Sequence, residues 1–238
     1  MKRAILQALL AARADKRPVA LVTNLQTGRQ ALLDGTEVTG ELTLGGVVLS
    51  RVERALAEDR SGTIDDTSLF VQVFNPPLRM IVVGAVHIAQ ALVPMATLAG
   101  YDVTVVDPRQ AWATDARFPD VTRMTDWPDE ALQALAPDRR TAVVTLTHDP
   151  KLDDPALAVA LRSPAFYVGA LGSTRTHAKR LDRLREAGLD DAQLARIHGP
   201  IGLAIGAKSP SEIALAILAQ ATQVLRGVSA LVAAPATQ

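Results

Sequence analysis

The sequence predicts an α/β protein in two parts: a small N-terminal α+β domain, then a larger domain whose parallel sheet is covered by helices on both faces. Three observations carry this. After residue 78, short β-branched runs alternate with helical patterns, as repeated strand-helix units do. The stretch MIVVGAVHIAQALVPMATLAGYDVTVVDPR, Met80 to Arg109, has the outline of a nucleotide-binding strand-turn-helix-strand unit. Aromatic residues are only 3% of the chain while Ala, Leu and Val abound, which suits helices on a parallel sheet better than an all-β domain.

The elements follow in order. Lys2 to Ala14 places Ile5, Leu6, Leu9 and Leu10 at helical spacing, and Pro18 closes that helix before the strand VALVTN. Asp34-Gly35 lies between two extended runs and fits a tight hairpin, because both residues tolerate positive φ. Leu69 to Phe74 is one more strand. Asn75-Pro76-Pro77 then sets the boundary between domains 1–75 and 78–227, since neither proline can donate to a ladder. Beyond it the sequence predicts strand 80–83, helix 86–99, strand 102–106 and a helix from Pro128 to Leu135. Strand Ala142 to Leu146, helix Pro155 to Leu161, strand Phe166 to Val168 and helix Thr174 to Glu186 continue the alternation. SPSE opens the last helix, with Ser209 as cap, Pro210 in the first turn and Glu212 as capping-box partner. That helix runs to about Arg226, and residues 228–238, without periodicity, are expected to form a flexible tail.

Charge and composition exclude several functions. Lys+Arg 25 against Asp+Glu 25 leaves no net field, so neither nucleic acid nor membrane is an expected partner and any anion site must be local. With no cysteine there is no disulfide, thiolate metal site or cysteine nucleophile. No charged-then-apolar leader or long apolar run stands out, so a soluble cytoplasmic protein is expected.

Four stretches could carry chemistry. In the first, the three glycine positions of a dinucleotide fingerprint read Gly84, Val86 and Ala89. Val86 puts a branched Cβ where a pyrophosphate would lie, so NAD(P) is not an expected ligand, although Asp107 stands where a ribose hydroxyl is read. His87 opens the helix and Arg109 follows Asp107. In the second, THDPKLDD, His148 and Asp149 lie just past a strand end, where open α/β sheets bind ligands. They could form an acid/base or metal pair, whereas Asp153-Asp154 before Pro155 read as helix cap and first-turn charge. In the third, Gly169, Gly172, Ser173 and Arg175 combine a glycine-containing turn, a helix N-terminus, a hydroxyl and a guanidinium into a prospective anion site, with His177 one turn on. Lys179, Arg180, Arg183 and Arg185 read as a solvated helix face. The fourth, HGPIGLAIGAKSPSEIA, includes Gly202 and reads as the wall of a cleft.

Taken in this order, these stretches resemble the xanthine dehydrogenase accessory protein family (XdhC/CoxI), above all in LTHDPKLDDPAL, YVGALGSTRTHAKRL and IGLAIGAKSPSEIALAILA. The resemblance covers roughly Leu69 to Arg226. It implies a small N-terminal domain, a C-terminal Rossmann domain, and transient binding of molybdenum cofactor (molybdopterin). The implied role is to assist sulfuration of that cofactor, shield it, and pass it to a molybdenum hydroxylase client, with a cysteine desulfurase and a second copy of the chain as further candidate partners. The cofactor-binding set so implied is Gly84, His87, Asp107, Arg109, His148, Asp149, Gly169, Gly172, Ser173, Arg175, His177 and Gly202; no catalytic or metal-binding residue is expected. The chain departs from the family pattern at Val86 for a second glycine, at Ala204 for an aspartate after IGL, and at Val47 for the cysteine of a Gly-Gly-Cys. An NAD(P)-dependent oxidoreductase and a ligand-free assembly factor remain as alternative readings.

Overall fold

The computed structural model describes residues 2–227; the expected tail, 228–238, lies outside the described residues. The chain divides into two compact units, Met1–Pro76 and Pro77–Gln238.

The first unit contains helix α1 (Arg3–Ala14), strands β1 (Val19–Asn24), β2 (Gln30–Asp34) and β3 (Glu37–Gly40), helix α2 (Gly46–Ala57), and strands β4 (Gly62–Thr63) and β5 (Leu69–Phe74). The strands form an antiparallel sheet in the order β3-β2-β1-β5-β4. Because side chains alternate along a strand, β1 feeds two cores: Val19 and Leu21 pack with Ile5, Leu9 and Ala12 of α1, while Ala20 and Val22 pack with Val52 of α2. The Asp34-Gly35 hairpin forms where the sequence puts it, with Asp34 opposite Glu37 and Gly35 at φ +59°. Helix α2 escaped the sequence reading because Val52 is its one fully buried residue.

The second unit contains β6 (Leu78–Val83), α3 (His87–Leu98), β7 (Tyr101–Val106), β8 (Thr122–Met124), α4 (Pro128–Leu135), β9 (Thr141–Thr145) and α5 (Pro150–Arg162). It continues with β10 (Tyr167–Ala170), α6 (Thr174–Glu186), α7 (Asp191–Leu194), β11 (Ile197–His198) and α8 (Pro210–Leu225). All pairings are parallel, in the order β11-β10-β9-β6-β7-β8. One face of the sheet packs Met80, Val82, Val103, Val105 and Val144 against α3 and α8. The other packs Ile81, Val83, Val106, Val143 and Val168 against α4, α5 and α6. Burial on both faces explains why the strands read as unbroken apolar runs.

The last helix opens as its sequence predicts: Ser209 Oγ accepts from the Glu212 N–H at 3.3 Å, and the Glu212 carboxylate accepts from the Ser209 N–H at 2.8 Å. Helix α5 differs from expectation. It starts at Pro150 with Asp149 as its cap, the Asp149 carboxylate accepting from the Lys151 N–H at 2.9 Å, so Pro155 lies inside the helix. Pro155 cannot donate to the Lys151 carbonyl, but Lys151 is exposed, so water can serve that oxygen.

Candidate functional site

Counting outward from β6, the sheet runs β6-β7-β8 to one side and β9-β10-β11 to the other, so the loops after β6 and β9 diverge and leave a crevice at the strand carboxyl ends. Two loops meet there. Gly84 has φ +109°, and a Cβ on it would stand 2.7 Å from Thr147 Cγ2, so only glycine fits this crossing. The Ala85 N–H donates to Asp107 Oδ2 at 2.7 Å. Asp107 is fully buried and also receives Arg109 Nη2 on Oδ2 at 2.8 Å, and the Arg109 N–H and Nε on Oδ1 at 3.0 and 2.9 Å. Burial pushes its pKa up, but the Arg109 side chain and the two N–H groups outweigh burial and hold it below the ordinary aspartate value. A ribose hydroxyl would have to displace Arg109 to reach this carboxylate. Val86 caps α3 and packs on the core, and His87 stands exposed in the first turn of that helix.

On the other side of the crevice, Asp153 organises the loop after β9. It is 1% exposed, and its carboxylate accepts from Thr147 Oγ1 at 2.7 Å, the Thr147 N–H at 3.3 Å and the His148 N–H at 3.1 Å. These bonds hold exposed His148 at φ +62° beside the α5 N-terminus. Burial raises the Asp153 pKa, opposed by Thr147 and by the charge of Arg180. Of the roles expected of Asp153-Asp154, the cap is corrected, while the first-turn charge holds at Asp153. Asp149 is the cap, Asp153 faces inward, and Asp154 accepts from Arg183 Nε and Nη2 at 2.5 and 3.1 Å.

The loop after β10 builds the second wall. Gly169 is buried, and a Cβ there would meet Ile201 Cδ1 at 2.5 Å. Gly172, at φ +147°, turns the chain so that Ser173 caps α6, accepting from the Thr176 N–H at 3.2 Å. Arg175 follows in the first turn, exposed. The expectation of a solvated face fails at Arg180, which is 2% exposed. Its Nη2 donates to the Leu171 carbonyl at 2.8 Å, whereas Nε and Nη1 make no hydrogen bond. Burial lowers its pKa from the ordinary value, and Asp153 and Asp154 oppose that.

The two walls enclose a cleft of about 310 Å³ lined by His148, Pro150, Asp153, Asp154, Arg175, Thr176, Lys179, Arg180 and Arg183. It joins His148 and Arg175, read separately in the sequence, between the N-termini of α5 and α6; Asp149 already takes the first N–H groups of α5, whereas the N-terminal dipole of α6 favours an anion. Other expected residues are placed elsewhere. His177 packs against Gly199, where an added Cβ would lie 2.3 Å from its Nδ1, and burial lowers its pKa. The Gly202 N–H donates to Gln220 Oε1 at 2.8 Å, and this oxygen also accepts from Tyr167 Oη, which fixes the fourth stretch on α8. Arg180, Lys179, Asp153 and Arg183 were missed. One signal was available: Thr176, Arg180 and Leu184 form an i, i+4, i+8 stripe, and Leu184 is buried.

This strand order, with a glycine turn at the reversal and a cleft lined by four cationic side chains beside it, defines a Rossmann-type domain. Residues 80–221 match the XdhC Rossmann domain, and the chain belongs to the XdhC family. It is 31% identical over 170 residues to the uncharacterized protein YqeB of Escherichia coli, matching 71% of this chain and 31% of that one. It is 32% identical over 151 residues to the molybdenum cofactor insertion chaperone PaoD of the same organism, with 63% and 41% covered. It is 31% identical over 167 residues to a probable xanthine dehydrogenase subunit of Bacillus subtilis, with 68% and 48% covered. The chain thus spans less than half the length of each of these relatives. The crystal structure of a xanthine dehydrogenase from Bacillus halodurans is similar at 25% identity with a TM-score of 0.72, covering 94% of this chain and 67% of that one. Among the described residues, no helix is long and apolar enough to cross a membrane.

Proposed function

We propose that this protein is an accessory factor that binds molybdenum cofactor as cargo and assists its maturation and insertion into a xanthine dehydrogenase-type molybdenum hydroxylase. The carrying observation is the cleft between α5 and α6. Its lining holds four cationic side chains and two carboxylates, a surplus of 4 − 2 = 2 positive charges in a chain that is neutral overall. Among the described residues, the Arg175 guanidinium and the Lys179 ammonium have neither a hydrogen bond nor an ion pair, so both are free to meet an anion. The residues fit the phosphate end of the cofactor. The crevice at Gly84 favours a nicotinamide dinucleotide less, because Val86 crowds the turn and Arg109 occupies Asp107.

The resemblance to the family puts a cysteine where this chain has Val47. That residue lies in the first turn of α2 and is 73% exposed, a setting that would lower a thiol's pKa. Without the thiol the chain relays no sulfur itself, and sulfuration falls to a separate sulfur donor such as a cysteine desulfurase. The test is to produce a xanthine dehydrogenase-type client with and without this protein and measure molybdenum per client. A severalfold rise with the protein present supports the role; equal metal content counts against it.

A further inference from the structure

We infer that Arg180 is the recognition residue of the cleft and selects a phosphate monoester dianion; this rests on the proposed reading of the cleft as the cofactor's phosphate site. Arginine carries five N–H donors, and in Arg180 only Nη2 is used, on the Leu171 carbonyl. Nε and Nη1 are buried and make no hydrogen bond, an arrangement that native structures seldom keep without reason, because each such group has lost its water.

The two nearest carboxylates do not fill the gap, and the geometry shows why. Asp153 Oδ2 lies 3.7 Å from Arg180 Nη2, held back by the Thr147 and His148 donors. Asp154 Oδ1 lies 4.0 Å from Arg180 Nε, because Asp154 is clamped by Arg183. Both acids are occupied, and the guanidinium between them keeps donors to spare.

Charge and size set the ligand class. The cleft's surplus of 4 − 2 = 2 positive charges matches a dianion, which a phosphate monoester is at neutral pH and a diester is not. At about 310 Å³ the cleft sits at the small end of ligand pockets, room for a phosphate and the atoms beside it. The remainder of the cargo lies outside it, so the cofactor binds phosphate first.

The experiment titrates the full chain with inorganic phosphate and, separately, with dimethyl phosphate at constant ionic strength, following heat. Saturable binding of phosphate, at least tenfold weaker binding of dimethyl phosphate, and a loss of about ten- to a hundredfold in Arg180→Lys are expected. Because Arg180 is buried, a fold-independent measurement accompanies the variant. In the unmodified protein a protected arginine Nε–H resonance in the 15N spectrum should move as phosphate saturates. No saturable binding, equal affinity in a folded Arg180→Lys, or unmoved Nε–H resonances would overturn the inference. Phosphate binding that depends on Arg180, in a protein that retains no pterin, would sink the cofactor reading and leave Arg180 in place; pterin retention indifferent to Arg180→Lys would do the reverse.

Discussion

Arg109 folds back onto Asp107, its near neighbour in sequence, with Nε on Oδ1 at 2.9 Å and Nη2 on Oδ2 at 2.8 Å, and the Ala85 N–H completes the buried carboxylate's shell. The residue that a dinucleotide would need is thereby built into the turn after β6. This pair has a pH consequence. The folded-state pKa of Asp107 lies below its ordinary value of 3.8, so its contribution to stability is fully present above that value and is lost as pH falls through the folded pKa. Melting temperatures from pH 6 down to pH 2.5 should therefore fall more steeply for the unmodified protein than for Asp107→Asn. Parallel curves would show that the carboxylate adds nothing.

The same pair bears on nicotinamide dinucleotides. Calorimetric titration with NAD(H) or NADP(H) is expected to show no micromolar binding, and Val86→Gly alone to restore little, because Arg109 still occupies Asp107. Micromolar affinity in the unmodified protein would revive the oxidoreductase reading.

Gly84 offers a test of the switch point. Gly84→Ala combines a strained φ of +109° with a contact at 2.7 Å, whereas Gly188→Ala shares a strained φ, +83°, but meets nothing within 4 Å. The strain alone costs on the order of 1–3 kcal/mol. Gly84→Ala should exceed Gly188→Ala by about 1 kcal/mol or more in denaturant unfolding, since overpacking adds to it. Equal losses would show that the loops at Gly84 and Thr147 yield freely.

Much of this was legible because it is local. Caps and first turns are set by a few neighbouring residues, and α6 and the capping box of α8 fall where Ser173, Ser209 and Glu212 put them. Pro150 and Pro155 are equally good first-turn prolines, and nothing local chose between them; burial of Leu152 and Asp153 did. The short strands β8 and β11 exist only through their pairing partners, so no period marks them. The local pattern of a glycine turn opening a helix brought out Arg175, but burial of Arg180 depends on Leu171 and Asp153, which approach it only in the folded chain.

The boundary at Asn75-Pro76-Pro77 is a proposal with its own test. Residues 78–227 expressed alone should be soluble and unfold cooperatively, because they carry both cores of the parallel sheet. Aggregation of this fragment beside a stable full chain would move the boundary.

In the proposed reading, the cleft between α5 and α6 holds the cofactor's phosphate. The most direct measurement is the fluorescence of oxidised pterin released from the unmodified protein and from Arg175→Ala, both purified from cells that make molybdenum cofactor. Arg175 is exposed at the cleft mouth and bonds to nothing else among the described residues, so its loss leaves the fold intact and removes a charge-assisted contact. Such contacts contribute roughly 1.5–3 kcal/mol, about ten- to a hundredfold in affinity. Substoichiometric pterin in the unmodified protein and loss of most of it in Arg175→Ala are expected; equal pterin in the two, or none in either, would remove the cleft as the phosphate site.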